Sequence, residues 1–124
     1  MESTRPNPTF DPKSYPDVID AFASLGDDTA VKIWGGDWCP DSRRELPDVE
    51  AVLEEAGIRG DRLQIYEVDR EKRGPKVDAY DVSRIPTIVV ERNGEELARF
   101  EEKAALPAAP FLADQLPDVD LEHY

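Results

Sequence analysis

The only cysteine of this 124-residue chain lies in the segment WGGDWCPDSRRELP, residues 34–47. The segment follows an apolar run and precedes a helical pattern that begins at Pro40, a residue favoured at the first position of a helix. Cys39 is therefore predicted to be the N-cap, with its sulfur accepting hydrogen bonds from the free amides of Asp41 and Ser42. These bonds and the positive end of the helix dipole favour a thiolate, which is the form that attacks disulfides.

The residues around Cys39 modify this expectation. The Ser42 hydroxyl, one helical turn further on, is expected to donate a hydrogen bond to the thiolate. The nearby charges oppose one another, with two arginines against two aspartates (Arg43, Arg44, Asp37 and Asp41). The alternative is that Cys39 is a small buried apolar residue. The tight GGDWCP turn and the cap position favour a side chain at the surface.

The sequence gives little support for a Cys–His pair, a metal site or a nucleotide-binding loop. His123 is the only histidine and lies near the end of the chain, so neither a Cys–His pair nor a zinc site is expected. Gly35 and Gly36 lack the spacing of a phosphate-binding loop or a dinucleotide fingerprint. The sequence therefore predicts no metal and no cofactor.

The composition excludes several classes of partner. The chain has 28 acidic and 15 basic residues and a net charge of −13, which disfavours nucleic acid and anionic membranes. No apolar run is long enough to span a membrane, and no apolar leader opens the chain. One cysteine fits a reducing compartment, so a cytoplasmic protein is expected. The acidic surface fits either adaptation to high salt, as in a halophilic source, or docking of a basic partner.

The surrounding pattern predicts an irregular arm over residues 1–13, with a short edge strand near Phe10, and one domain over 14–124. The strands are expected at 29–34, 61–69, 86–91 and 95–102, the last two joined by a hairpin turn at Asn93–Gly94. The helices are expected at about 14–25, 40–56, 75–82 and 108–116, the second kinked at Pro47. This order predicts an α/β fold with a mixed sheet flanked by helices.

Four motifs in this order resemble the thioredoxin-like proteins. The W-C-x-x-C motif corresponds to residues 38–42, with serine in the place of the second cysteine. Pro47 matches a helix-kinking proline, Ile85-Pro86-Thr87 matches the cis-proline loop, and Gly94 matches the hairpin glycine. The resemblance covers residues 14 to 116 and implies a three-layer sandwich with a central mixed sheet of four or five strands and a cis-proline loop at Pro86.

The resemblance also implies a site. Cys39 would be the attacking cysteine, exposed at the carboxyl edge of the sheet, with Ser42 as its catalytic neighbour. The Ile85 backbone would hydrogen-bond an extended substrate chain. The implied substrate-binding residues surround the sulfur: Trp38, Pro40, Ile85, Pro86 and Thr87.

The chain departs from the family pattern at two places, and both belong to the half-reaction in which a second cysteine resolves the mixed disulfide. Ser42 cannot replace the second cysteine, because a hydroxyl forms no disulfide. The family's buried aspartate and nearby lysine correspond to Ile33 and Ile65. The sequence thus predicts that the resolving half-reaction has been lost.

The leading hypothesis is a monothiol thioredoxin-like thiol–disulfide oxidoreductase in cell redox homeostasis. It would act on protein disulfides or mixed disulfides, with an external low-molecular-weight thiol resolving the adduct on Cys39. The alternative is a non-catalytic binding module that holds an extended peptide at the Ile85–Pro86 loop. Peroxide sensing through a sulfenic acid on Cys39 is a third hypothesis. Whether the protein is an enzyme stays open at this point.

Overall fold

The structure, a computed structural model, describes residues 11, 15–26, 28–71, 73–101 and 108–116. The edge strand expected near Phe10 and the single histidine, His123, lie outside these residues. No helix in the described part of the chain has the length and apolar character needed to cross a membrane.

A four-stranded mixed sheet forms the centre of the fold. Its strands are β1 (Thr29–Gly35), β2 (Leu63–Glu67), β3 (Thr87–Arg92) and β4 (Glu95–Glu101), in the spatial order β2-β1-β3-β4. β2 runs parallel to β1, whereas β3 pairs antiparallel with both β1 and β4. The parallel pairing brings the carboxyl ends of β1 and β2 to the same edge of the sheet, where the Val68 amide donates to the Gly35 carbonyl at 2.9 Å.

In the described part of the chain, three α-helices accompany the sheet: α1 (Pro16–Ala23), α2 (Pro40–Ala56) and α3 (Ala108–Gln115). A short 3₁₀-helix at Gly60–Arg62 leads into β2. The predicted fold class, an α/β thioredoxin-like fold with a mixed sheet of four or five strands, is confirmed. The hairpin at Asn93–Gly94 is present, with positive φ angles of 51° and 84° at its two central residues.

Local signals explain why α2 has the predicted bounds. Pro40 occupies its first turn, and Gly57 ends it in the left-handed conformation at φ 83°. Pro47 lies inside the helix. One stripe of α2 is buried against the sheet: Leu46, Val49, Val52 and Leu53.

Two apolar cores lie on opposite faces of the sheet. The first core contains side chains of all three helices together with Val31, Ile33, Ile88 and Phe100. The second core contains Trp34, Cys39, Val68, Val82, Ile85 and Val89. Successive strand residues alternate between the two cores, as Ile33 and Trp34 do, because side chains alternate across a strand.

The helix predicted at 75–82 is wrong: this segment consists of turns. Lys76 and Asp81 have φ angles of 60° and 54°, which a right-handed helix does not contain. Contacts with the sheet hold the segment instead, since the Trp34 indole donates to the Pro75 carbonyl at 2.9 Å. Trp34 also packs on Tyr80, with ring centroids 5.0 Å apart. The segment covers the second core without helical geometry.

A buried polar network also holds the segment 75–82 against the sheet, through Tyr80. The Lys32 ammonium lies 3.4 Å from a Glu91 carboxylate oxygen and donates to Gln64 at 2.6 Å. The Tyr80 hydroxyl donates to the two oxygens of Glu91 at 3.0 and 3.1 Å. Burial and the bond to Glu91 both raise the pKa of Tyr80, so the phenol remains a donor.

Candidate functional site

The turn after β1 places Cys39 at the N-cap of α2, as predicted. The Cys39 amide donates to the Gly36 carbonyl at 3.0 Å, and its carbonyl accepts from the Arg43 amide at 3.1 Å, which starts the helix. However, the sulfur makes no capping hydrogen bond, so the predicted bonds from Asp41 and Ser42 are wrong. The thiol instead donates to the Ile85 carbonyl, with a sulfur–oxygen distance of 3.8 Å.

Cys39 is also more buried than the resemblance implies. Only 5% of the residue is exposed, and it packs in the second core with Trp34, Val68 and Ile85. The expectation of an exposed sulfur is therefore wrong for this conformation. The reason lies in residues remote in sequence, since Val68, Val82, Ile85 and Val89 share the second core with Cys39.

Ser42 is fully buried and faces the turn rather than the sulfur. Its Oγ accepts a hydrogen bond from the Gly36 amide at 3.3 Å, and no bond joins it to Cys39. Gly35 permits this packing, because a Cβ there would lie 3.2 Å from the Ser42 Oγ and 2.7 Å from a Leu46 methyl carbon. The predicted donation from Ser42 to the sulfur is absent from this structure.

The proline loop lies against the cysteine. The bond between Ile85 and Pro86 is cis, as predicted. Ile85, Pro86 and Thr87 are all buried, and the Thr87 hydroxyl donates to the Arg84 carbonyl at 2.5 Å. Within the described residues the Ile85 amide has no hydrogen-bond acceptor. The loop thus packs its backbone against the sulfur, with an amide that has no partner among the described residues.

Trp38 is half-buried beside the sulfur. Its indole nitrogen donates to the Val68 carbonyl at 2.8 Å, which fixes the ring against the carboxyl end of β2. Gly36 makes room for the ring, since a Cβ there would lie 2.5 Å from the indole nitrogen. The Arg70 guanidinium lies 5.4 Å from the ring centroid. Pro40, the remaining predicted binding residue, is exposed at the start of α2.

An open pocket of about 440 Å³ lies next to this tryptophan. We call it the Trp38 pocket; its lining residues are Trp38, Glu67, Val68, Asp69, Arg70 and Arg73. The Asp69 carboxylate accepts hydrogen bonds from the Arg73 amide at 2.8 Å and the Glu71 amide at 3.0 Å. These bonds, led by that from the Arg73 amide, lower the pKa of Asp69 and hold the loop that carries Arg70.

Sequence reasoning missed the Trp38 pocket, although a signal was present. The segment VDREKR, residues 68–73, directly follows β2. Since β1 and β2 are parallel, their carboxyl ends share one edge, and Cys39 follows β1 at that edge. The segment could thus have been placed beside the cysteine once the two strands were paired.

The positions of the missing charged pair are also neighbours. Ile33 lies opposite Ile65 in the parallel register of β1 and β2. Ile33 is fully buried, whereas 39% of Ile65 is exposed. The aspartate and lysine that the resemblance implies are thus both replaced by apolar side chains at adjacent points of the sheet.

No cluster of three or more histidine, cysteine, aspartate or glutamate side chains in the described residues could hold a metal ion. The site that the residues form together consists of a thiol, a proline loop, an indole and a charged pocket. The reactive group of this set is the thiol, and exchange with a disulfide is a reaction that a thiol can perform.

Comparison with known proteins finds a similar sequence among the thioredoxins. The chain is 32% identical over 71 residues to "Thioredoxin Y, chloroplastic" of Oryza sativa subsp. japonica; the match covers 57% of this chain and 39% of that protein, so it spans less than half of the relative. No protein-family model matches the sequence.

Two solved structures share the fold. Trxlp from Edwardsiella tarda EIB202 has a TM-score of 0.50 at 21% identity, covering 86% of this chain and 94% of that one. A malarial protein has a TM-score of 0.52 at 19% identity, covering 72% of this chain and 93% of that one. The chain thus has a thioredoxin-like fold with a cis-proline loop, and its one cysteine, Cys39, lies beside that loop.

Proposed function

We propose that the protein is a monothiol thioredoxin-like thiol–disulfide oxidoreductase that acts in cell redox homeostasis. One observation carries this proposal: the only thiol of the chain lies at the start of α2, with its sulfur 3.8 Å from the Ile85 carbonyl oxygen of the proline loop. An extended substrate that pairs with the Ile85 backbone would bring its disulfide to this sulfur.

The reaction needs two exchanges. The substrate is a mixed disulfide between a protein and a low-molecular-weight thiol. In the first exchange, the Cys39 thiolate attacks the sulfur of the small thiol; a new S–S bond forms, the old one breaks, and the protein thiolate leaves and takes a proton, so that the protein thiol is reduced. In the second, the thiolate of an external low-molecular-weight thiol attacks the small-thiol sulfur that is now bonded to Cys39, the Cys39 thiolate leaves, and the two small thiols form a disulfide.

The replaced residues fit the need for an external thiol. The described residues contain one cysteine, and the position one turn further on is the buried Ser42. The Ser42 hydroxyl already accepts a hydrogen bond from the Gly36 amide, and a hydroxyl cannot form a disulfide. The apolar pair Ile33 and Ile65 supplies no proton-transfer group for a resolving thiol.

The test is the reaction of the native protein with hydroxyethyl disulfide, an uncharged probe, followed by intact mass. We expect one mercaptoethanol adduct, formed at neutral pH, mapped to Cys39 and released by excess mercaptoethanol. The Cys39→Ser variant controls for other sites of reaction. A native protein that forms no adduct, while its urea-unfolded form does, would contradict the proposal.

A second candidate function, a binding module for extended peptides, is favoured by the 5% exposure of Cys39. It requires the backbone of the proline loop and not the sulfur. A library of cysteine-free random heptapeptides, retained on immobilised protein, distinguishes the two functions. The module predicts equal retention by Cys39→Ser and loss of retention by Ile85→Pro, which removes the Ile85 amide donor.

A further inference from the structure

Among the described residues, the Trp38 pocket contains one charge of each sign that has no ion-pair partner. Of its four charged residues, Asp69 and Arg73 neutralise each other, with the Arg73 Nε 3.2 Å from an Asp69 oxygen. Arg73 also lies near Glu71, at 3.6 Å. Within the described residues, no carboxylate pairs with Arg70 and no cation pairs with Glu67.

Arg70 and Glu67 line the pocket together with the apolar face of Trp38. Arg70 lies over the Trp38 ring, whose nitrogen is bonded to the Val68 carbonyl. Glu67 is the last residue of β2 and is exposed. A ligand in the pocket would thus meet a guanidinium, a carboxylate and an indole face at once. The guanidinium is complementary to a ligand carboxylate, the protein carboxylate to a ligand ammonium, and the indole face to the short apolar link between them.

The pocket is adjacent to the reactive group. Trp38 directly precedes Cys39, and Val68 packs in the same core as the sulfur. About 440 Å³ is enough for an amino acid or a short peptide. A protein of net charge −13 repels small anions over most of its surface. A cation in the pocket therefore favours binding of a carboxylate there over other places on the surface.

We propose that the Trp38 pocket binds the zwitterionic α-amino-acid group of a low-molecular-weight thiol, which is the external thiol that resolves the Cys39 adduct. This inference rests on the proposed function and names the class of its co-reactant. Arg70 binds the carboxylate, Glu67 binds the ammonium, and the thiol arm of the ligand extends towards Cys39. The exchange itself is the second one described above, with the ligand thiolate displacing Cys39 and becoming part of a disulfide.

Four small disulfides test the two charges separately. Cystine carries both groups, 3,3′-dithiodipropionate carries the carboxylate, cystamine carries the ammonium, and hydroxyethyl disulfide carries neither. The rate of adduct formation on Cys39 is measured for each. Every variant's rate is divided by the wild-type rate for the same disulfide, so that differences between leaving groups cancel.

Arg70→Gln is expected to slow the reactions of cystine and dithiodipropionate about threefold or more, and not to slow the other two. Glu67→Gln is expected to slow cystine and cystamine only. The matched controls are Arg59→Gln and Glu55→Gln, which change the net charge equally at exposed residues far from the pocket. If the pocket variants change the rates no more than these controls do, the inference is wrong.

Failure of the two proposals can be told apart. If hydroxyethyl disulfide reacts but the charged probes show no dependence on Arg70 or Glu67, only the pocket assignment fails. If no disulfide reacts, the redox function fails, and binding of S-methylcysteine then decides about the pocket. A shift of the Trp38 indole N–H signal that is lost in Arg70→Gln supports the pocket; no shift in the wild type overturns it.

Discussion

Ser42 Oγ accepts a hydrogen bond from the Gly36 amide at 3.3 Å, although Ser42 lies one helical turn from Cys39. The residue at the position of a second cysteine therefore stabilises the turn that carries Trp38 and Cys39. Its role in this structure is to satisfy a buried amide, which would otherwise cost about 1–3 kcal/mol.

Replacing Ser42 with cysteine should restore a dithiol. Residues 39 and 42 share one face of α2, so the two sulfurs can meet when the side chain at 42 changes rotamer. We expect oxidised Ser42→Cys to lose two hydrogen atoms by intact mass and to gain disulfide reductase activity with dithiothreitol as reductant. Ser42→Ala is the control, since it loses the Gly36 contact without adding a thiol. Two free thiols after oxidation would show that position 42 cannot turn towards Cys39.

Gly36→Ala should displace the Trp38 indole. The added Cβ would lie 2.5 Å from the indole nitrogen, and the bond to the Val68 carbonyl would break. We expect a loss of about 1 kcal/mol in the free energy of unfolding, together with faster solvent exchange of the Trp38 indole proton. Gly26→Ala is the matched control, because its Cβ would meet only the end of the Asp28 side chain, at 3.1 Å. Equal indole exchange in the two variants would refute the placement of Trp38.

Glu50 should make the stability depend on pH. It is 6% exposed, and its Oε1 has no hydrogen-bond partner within the described residues. Burial, and then the charge of Glu54, raise the pKa of Glu50 from 4.5 to about 7. The folded state therefore keeps a proton that the unfolded state releases. The stabilisation is complete below pH 4.5 and is lost as the pH rises to about 7.

Glu50→Gln removes this titration. We expect the variant to be more stable than the wild type at pH 8, by up to about 3 kcal/mol, and to differ much less at pH 4.5. Urea unfolding at the two pH values measures the difference. Glu55→Gln, an exposed neighbour on α2, should shift neither value by more than about 0.5 kcal/mol. A Glu50→Gln curve parallel to that of the wild type would show that Glu50 titrates normally.

The buried network on the second face should contribute to stability. Glu91→Gln removes the charge that Lys32 faces and weakens the acceptor of the Tyr80 hydroxyl. Because both charged side chains are only 10% exposed, we expect a loss of about 3 kcal/mol in the free energy of unfolding. Arg92→Gln is the control: its contact with Asp28, at 3.8 Å and partly exposed, should contribute less than about 1 kcal/mol. Similar losses in the two variants would contradict this assignment.

The elements with local signals were predicted best. α2 begins at a proline and ends at a glycine with positive φ, and its apolar stripe has the helical period, so its bounds agree with the prediction. The segment 75–82 has helical spacing too, but its position is decided by Trp34 and the sheet, which are remote in sequence. Its left-handed residues, Lys76 and Asp81, carry no glycine-like signal.

The site was predicted in its parts but not in its packing. The N-cap position of Cys39 follows from the local sequence, whereas the cis bond at Pro86 was implied by the resemblance of Ile85-Pro86-Thr87 to the proline loop. The burial of the sulfur and its bond to Ile85 depend on residues remote in sequence that pack in the same core, which no single segment specifies. Arg70 was missed for the same reason, because its place beside Trp38 requires the pairing of β1 with β2.

The contact between the Cys39 thiol and the Ile85 carbonyl has a consequence for how a reactant reaches the sulfur. In the described part of the chain that carbonyl is the one hydrogen-bond partner of the sulfur, and only 5% of Cys39 is exposed. A substrate backbone that takes the Ile85 carbonyl as its acceptor would therefore compete with the thiol for the same oxygen, so binding at the loop and release of the thiol from it are one event.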